Sequence, residues 1–205
     1  MIRIAAVLLL AGAAGAVAGR LDGYFAELES PDRARWQEPE RVVATLRLRP
    51  GMTVADVGAG TGYFSRRLAA AVGPHGKVLA LDVEPEMLAE LRRLAPDATN
   101  IETRQVTPDD PGLAAHSVDL VFVCDTGHHL PDRVHYYGKL RRALRPRGHL
   151  VLIDFYRRPL PVGPPVAEKV SAATTEHEAE EAGFRRIASY HFLPYQYFLV
   201  FEARR

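Results

Sequence analysis

The chain has 205 residues and only one cysteine, Cys124. That excludes an internal disulfide framework and any zinc site built from cysteines. Excess charge of either sign is also missing. The 26 basic and 25 acidic side chains leave a formal net charge of +1, so no strong field gathers nucleic acid or anionic lipid. Repeats and low-complexity tracts are absent, and Pro159–Pro165 is the one internal stretch with linker composition. What is present is ordinary globular material: 47% hydrophobic and 25% charged residues, long enough for one domain with a proper core.

The N-terminus, MIRIAAVLLLAGAAGAVAGR, is the exception. One basic residue, Arg3, precedes an uncharged apolar run from Ile4 to Gly19. The run is short for a membrane span of about 20 residues. Ala16-Val17-Ala18 fits a small-residue cleavage site, so residues 1–19 read as an export signal or an anchor, with a packed helix of a cytoplasmic protein as the alternative. Association with a membrane through this segment is expected on the first reading. Residues 20–50 read as helical. Ser30-Pro31-Asp32 combines a capping serine, a proline at the first helical position and an acid at the positive helix end. Pro39-Glu40 starts another helix, and Pro50-Gly51 turns the chain. This segment is expected to act as a lid over residues 51–205.

From residue 51 strands and helices alternate. Strands are expected at Val54–Val57, Lys77–Leu81, Ile101–Val106, Val118–Val123 and His149–Ile153. Helices are expected at Tyr63–Val72, Pro85–Leu94 and Asp132–Leu144. Val118–Val123 is almost continuously apolar, as a strand buried on both faces requires. Such alternation means crossover connections and a doubly wound α/β architecture with a parallel sheet. After a helix near Thr174–Ala182 the rhythm breaks. Phe184–His191 and Tyr195–Glu202 are separated by three residues, too few for a parallel crossover, so they form an antiparallel hairpin.

The stretch VADVGAGTGYFSRRL carries Gly58, Gly60 and Gly62 after a strand, with Asp56 just upstream. The dinucleotide fingerprint G-x-G-x-x-G needs a third glycine where Tyr63 stands. A pyrophosphate at the turn would also meet Asp56 as a like charge. A ligand with its own positive charges suits the turn better. S-adenosylmethionine has an ammonium and a sulfonium and no phosphate. The glycines would let the backbone approach its aminoacyl end, and Asp56 would hold the ammonium directly or through the turn and a water. Asp82, at the end of the second strand, is placed to accept hydrogen bonds from ribose hydroxyls.

The segments VADVGAGTGYFSRRLA, VLALDVEPEML, SVDLVFVCDTGHHL and LRPRGHLVLIDF resemble class I S-adenosylmethionine-dependent methyltransferases. The likeness runs from about Trp36 to Phe201. It is nearest the small-molecule branch that includes ubiquinone/menaquinone-type C-methyltransferases. The resemblance implies a Rossmann-like seven-stranded sheet in the order 3-2-1-4-5-7-6 with strand 7 antiparallel. It implies that Asp56, Gly58, Ala59, Gly60 and Gly62 form the aminoacyl loop and that Asp82 binds ribose. Val83 and Met87 then flank the adenine, Thr107 or Asp109 meets its amino group, and Asp125 completes the cofactor site.

Chemistry is expected past the fourth strand, at Cys124-Asp125-Thr126-Gly127-His128-His129. An Asn-Pro-Pro-aromatic signature is missing there, which disfavours methylation of nucleic-acid bases. Adjacent His128 and His129 without a completing acid or cysteine set do not make a metal site. One of them is a candidate general base, or both shape the pocket. Asp154, Tyr156 and Trp36 are expected to border a small-molecule acceptor. The competing readings are a noncatalytic S-adenosylmethionine-binding protein and, with Asp56 and Tyr63 against it, a dinucleotide-dependent oxidoreductase.

Overall fold

The computed structural model describes residues 14–204, with side chains from Leu21 onward. Most of the apolar N-terminal segment, residues 1–13, lies outside the described residues. Residues 14–19 open α1 (Ala14–Leu28), which runs without a break through Ala16-Val17-Ala18 and across the boundary expected at residue 19. Among the described residues no helix is long and apolar enough to cross a membrane. Two short helices follow, α2 (Pro31–Gln37) and α3 (Pro39–Thr45). Both start at the prolines that the sequence marks, and Ser30 Oγ accepts the Asp32 N–H at 3.3 Å.

The body alternates β1 (Thr53–Val57), α4 (Ser65–Val72), β2 (Lys77–Asp82), α5 (Pro85–Leu94), β3 (Ile101–Gln105), β4 (Val118–Cys124), α6 (Arg133–Ala143), β5 (Leu144–Phe155), α7 (Ala172–Glu181), β6 (Phe184–Tyr190) and β7 (Gln196–Ala203). The seven strands lie in the order β3-β2-β1-β4-β5-β7-β6. Strands β1 to β5 pair in parallel, and β7 runs antiparallel to both β5 and β6. This is the topology expected from the resemblance, and its hairpin end is the one expected from loop length.

Two elements differ in extent. Helix α4 begins at Ser65 rather than Tyr63, because the turn with Gly62 at φ +82° carries Tyr63 and Phe64 as its exit. Strand β5 begins at Leu144 rather than His149. Leu144 pairs with Val118 and His149 with Leu120, so Arg145-Pro146-Arg147-Gly148 bulges out between the two pairs. Those residues do stop α6, as their composition suggests.

Strand alternation sorts the side chains into two cores. Val54, Val78, Leu120, Phe122, Val151, Ile153 and Phe198 pack against α3 and α4. Ala55, Val57, Leu81, Val121, Val123, Leu150, Leu152 and Leu199 pack against α6 and α7. By the same alternation Asp56 falls on the α4 face and Asp154 on the opposite one. Both sit near the carboxyl edge, where open α/β sheets bind ligands.

Candidate active site

The glycine turn leaves β1 with Gly58, Gly60 and Gly62 all at positive φ, a conformation costly for residues with a Cβ. The three are glycine for different reasons. A Cβ on Gly58 would lie 2.1 Å from Thr126 Oγ1, and one on Gly62 would lie 2.5 Å from Leu91 Cγ. Those two serve close packing within the protein. A Cβ on Gly60 would meet only Leu28 Cδ1, at 3.9 Å. Gly60 is therefore the position where the backbone is bare toward open space, beneath the end of α1.

Asp82 closes the other side. Its Oδ2 accepts the Gly60 N–H at 2.7 Å and its Oδ1 the Glu84 N–H at 3.0 Å. Burial raises its pKa, and the backbone hydrogen bonds oppose the rise. Val83 beside it is 39% exposed, while Met87 is buried on α5. Ala59 is also buried, against Ala80 and Leu91. Thr107 and Asp109 form their own exposed turn, with Thr107 Oγ1 donating to Asp109 Oδ1 at 2.8 Å. The Val106 N–H bonded to Asp82 O at 3.0 Å brings that turn beside Asp82.

Asp56 does not face the open side of the turn. It is 3% exposed, and Ser65 Oγ donates to its Oδ2 at 2.6 Å. Burial pushes its pKa to about 7, against the hydrogen bond from Ser65. Of the two routes considered for Asp56, this placement leaves the indirect one, through Ser65 and the turn. It also weakens the argument that Asp56 repels phosphate by its charge. Tyr63 stands where the dinucleotide fingerprint needs its third glycine, and its ring carries the Arg33 and Arg67 guanidinium groups, each 4.2 Å from its centroid.

Asp125 ends up in a network that the sequence does not announce. It sits at φ +56° after β4. Gln37 Nε2 donates to its Oδ2 at 2.8 Å, Gln196 Nε2 donates to its Oδ1, and Arg33 reaches it at 3.4 Å. Burial raises its pKa to about 6 although Arg33 pulls the other way. Glu29, just past α1, accepts from Thr61 at 2.6 Å and from Arg66 at 2.5 Å. The N-terminal helices are thus fastened over the glycine turn and the end of β4. Arg33, Gln37, Glu29 and Gln196 escaped the sequence reading because no motif links them. Only a polar residue on an otherwise apolar strand face, as at Gln196 before Phe198 and Val200, was a signal.

His128 and Asp154 come together. The His128 ring is 4% exposed, and its Nδ1 lies 2.9 and 3.0 Å from the two oxygens of Asp154. The backbone N–H groups of His128 and Phe155 donate to the same carboxylate at 3.1 and 2.8 Å. Burial disfavours the charged ring, but the hydrogen bond and charge of Asp154 outweigh it and raise the His128 pKa. Its Nε2 has no partner among the described residues. His129 stacks at 4.1 Å between centroids and is the exposed member of the pair. Burial and the neighbouring His128 lower its pKa. Asp154 is therefore buried behind the histidine and does not form the rim expected of it. Trp36 packs on Phe155 and Tyr195 at 5.8 and 6.2 Å, and Tyr156 sets its ring edge-on to Tyr197 at 6.2 Å. Among the described residues no cluster of three or more metal-ligating side chains occurs.

The fold, the bare Gly60 and the acid at the end of β2 define a Rossmann-like protein with a glycine turn and a strand-end carboxylate side by side at the carboxyl edge. Comparison with known proteins sharpens the class. Residues 55–152 match the family model described as a methyltransferase domain. An arsenite methyltransferase of Halobacterium salinarum is 32% identical over 54% of this chain and 29% of its own length. A ubiquinone/menaquinone biosynthesis C-methyltransferase of Hahella chejuensis is 29% identical over 56% of this chain and 47% of its own. The chain thus spans half or less of those relatives. A crystal structure of a SAM-dependent methyltransferase from Aquifex aeolicus superposes with a TM-score of 0.82 at 29% identity, covering 87% of this chain and 96% of that one. Residues 55–152 thus carry a methyltransferase domain with the fold of the class I S-adenosylmethionine-dependent methyltransferases, and S-adenosylmethionine is the cofactor of that class. The donor set fits it: a carboxylate for hydroxyl groups at Asp82 and an uncrowded backbone at Gly60.

Proposed function

We propose that this chain binds S-adenosylmethionine across Gly60 and Asp82 and transfers its methyl group to a small-molecule acceptor held on the β4–β5 side of the carboxyl edge. The observation that carries the proposal is Gly60, bare toward open space and hydrogen-bonded to the β2-end acid. When bound, the cofactor supplies a methyl group already activated by the sulfonium. The protein's work is then alignment and exclusion of water. Arg33, Gln37 and Gln196 converge on Asp125 and hold the lid over the site. Asp154 accepts the Nδ1 hydrogen of His128 and so leaves Nε2 as the basic nitrogen, the orientation a general base needs. An oxygen or carbon-acid acceptor would lose its proton there, whereas a thiolate would need no base. Cys124 is buried and takes a hydrogen bond from Gln37 at 3.2 Å, which supports no cysteine-based route.

Titration calorimetry tests the cofactor. S-adenosylmethionine or its demethylated product should bind and NADH should not; binding of NADH alone overturns the assignment. Release of S-adenosylhomocysteine, screened over quinols, phenols, thiols and small carboxylates, then tests transfer. We further propose that residues 1–19 attach the chain to a membrane with the catalytic body on the cofactor-containing side. The uncharged run from Ile4 to Gly19 supports this. A compartment-sensitive reporter fused after residue 25 should report the cytoplasmic side, and a signal from the far side sinks it.

A further inference from the structure

Past β5 the carboxyl edge carries cations that form no ion pair among the described residues, although the buried Asp154 carboxylate acts on one of them, Lys169, at longer range. A groove of about 520 Å³ opens there, lined by Tyr156, Arg157, Arg158, Ser171, His191 and Pro194 among others. The β6–β7 hairpin loop supplies one wall and the segment after β5 the other. Arg157 and Arg158 are exposed. Arg158 donates to Pro194 O at 3.3 Å and lies 5.3 Å from the Tyr156 ring. Lys169 is packed behind the same segment, 4% exposed, with its Nζ donating to Arg158 O at 3.0 Å and lying 5.8 Å from the Phe155 ring.

Among the described residues, none of Arg157, Arg158 and Lys169 has a carboxylate within ion-pairing distance. The contrast with Arg33, Arg66, Arg133 and Arg186 is direct, since each of those has its acid. An ammonium has three hydrogens to donate, and Lys169 places one of them on a backbone carbonyl. Burying a charge so incompletely paired is costly. Glu168, next in sequence, does not neutralise it: no ion pair forms, and its charge instead acts on His128 and His129. The groove adjoins the acceptor side directly. The Tyr156 N–H donates to Tyr195 O at 3.0 Å. Trp36 covers Phe155 and Tyr195, and Asp154 of the His128 pair immediately precedes Phe155.

We infer that this groove takes the anionic end of the methyl acceptor, a carboxylate or phosphate on an aromatic or similarly flat body, with Arg157 and Arg158 as the cations that line it and Lys169, packed behind Arg158, as a further positive charge. The aromatic wall of Trp36, Phe155 and Tyr195 would hold the flat part, and the cations would set its direction toward the histidine pair. The inference rests on the methyl-transfer proposal for the word acceptor, but the groove can be probed without turnover.

Trp36 is the sole tryptophan and reports on that wall by its fluorescence. Benzoate, phenyl phosphate and neutral benzamide should be titrated into the full chain saturated with S-adenosylhomocysteine. At least one anion should bind about tenfold more tightly than benzamide, the size of effect expected for a charge-assisted hydrogen bond. Whichever anion binds more tightly identifies carboxylate or phosphate. Lys169→Met should reduce the preference and Lys169→Arg should keep most of it, with melting curves confirming that both variants fold. The exposed pair variant Arg157→Gln with Arg158→Gln should weaken anion binding without loss of stability, and so provides the test if Lys169→Met unfolds. Equal affinities for the three probes, or an anion preference unchanged in both Lys169→Met and the arginine pair variant, overturns the inference. Because S-adenosylhomocysteine binding is measured first, failure of the groove is separable from failure of the cofactor assignment.

Discussion

The two halves of the carboxyl edge are made differently. On the β1–β2 side the functional contacts join residues close in sequence. Asp56 and Ser65 are nine residues apart, Asp82 and Glu84 two, and Gly60 and Asp82 twenty-two. On the β4–β5 side they join residues far apart. Asp125 draws on Gln37, Arg33 and Gln196 over separations of 88, 92 and 71. The first half is a cradle shaped by its own turn. The second is assembled by helices and strands arriving from both ends of the chain. On the proposed function, that difference separates the half that would hold the cofactor from the half that would face the acceptor.

The sharpest way to break the comparison is inside the cradle. Gly58→Ala places a Cβ 2.1 Å from Thr126 Oγ1 and should lower stability by about 3 kcal/mol or more, through overpacking and a left-handed backbone together. Thr126→Gly should restore part of it in chemical denaturation. Gly60→Val faces no such neighbour and should lose only ~1–2 kcal/mol from backbone strain. It should nonetheless weaken S-adenosylhomocysteine binding in calorimetry by about 100-fold, a clash of ordinary overpacking size. If Gly60→Val binds normally, the ligand lies elsewhere.

On the acceptor side, His128→Ala and Asp154→Asn should each slow methyl transfer by about 10²–10⁴-fold while leaving cofactor affinity intact. His129→Ala should cost much less if Asp154 is what selects the base. A reversed ranking would assign the proton to the exposed ring, and two unaffected variants would leave alignment as the whole mechanism. The next effect is on stability. Asp56 stays protonated in the folded chain up to about pH 7, but in the unfolded chain only to about pH 4. The folded state therefore binds the extra proton between those values, and stability falls as pH rises through the window, by ~2 kcal/mol from pH 5 to 7. Asp56→Asn should remove that part of the slope in urea melts, while Asp125, raised to about 6, leaves a smaller decline ending earlier. The smallest effect belongs to the N-terminal helices. Arg33→Met should speed release of S-adenosylhomocysteine in stopped flow by about tenfold, since it removes a charged hydrogen bond from a network that keeps its other members.

The sequence by itself determined the fold class, because short apolar strands alternating with helices leave few arrangements, and a three-residue connection forces the terminal hairpin. It determined the glycine turn and Asp82 for a related reason, since a turn and the strand end beside it follow from local residue types and fixed spacing. It could not tell the three glycines apart, because Thr126 and Leu91 reach Gly58 and Gly62 only after the chain has folded. Nor could it say that Asp56 is buried against Ser65, that Asp154 lies behind His128, or that Arg33, Gln37 and Gln196 share Asp125. Those contacts depend on sheet order and on the face to which each strand turns a given side chain. Side-chain burial and pairing are set by neighbours distant in sequence, and no local spacing encodes them.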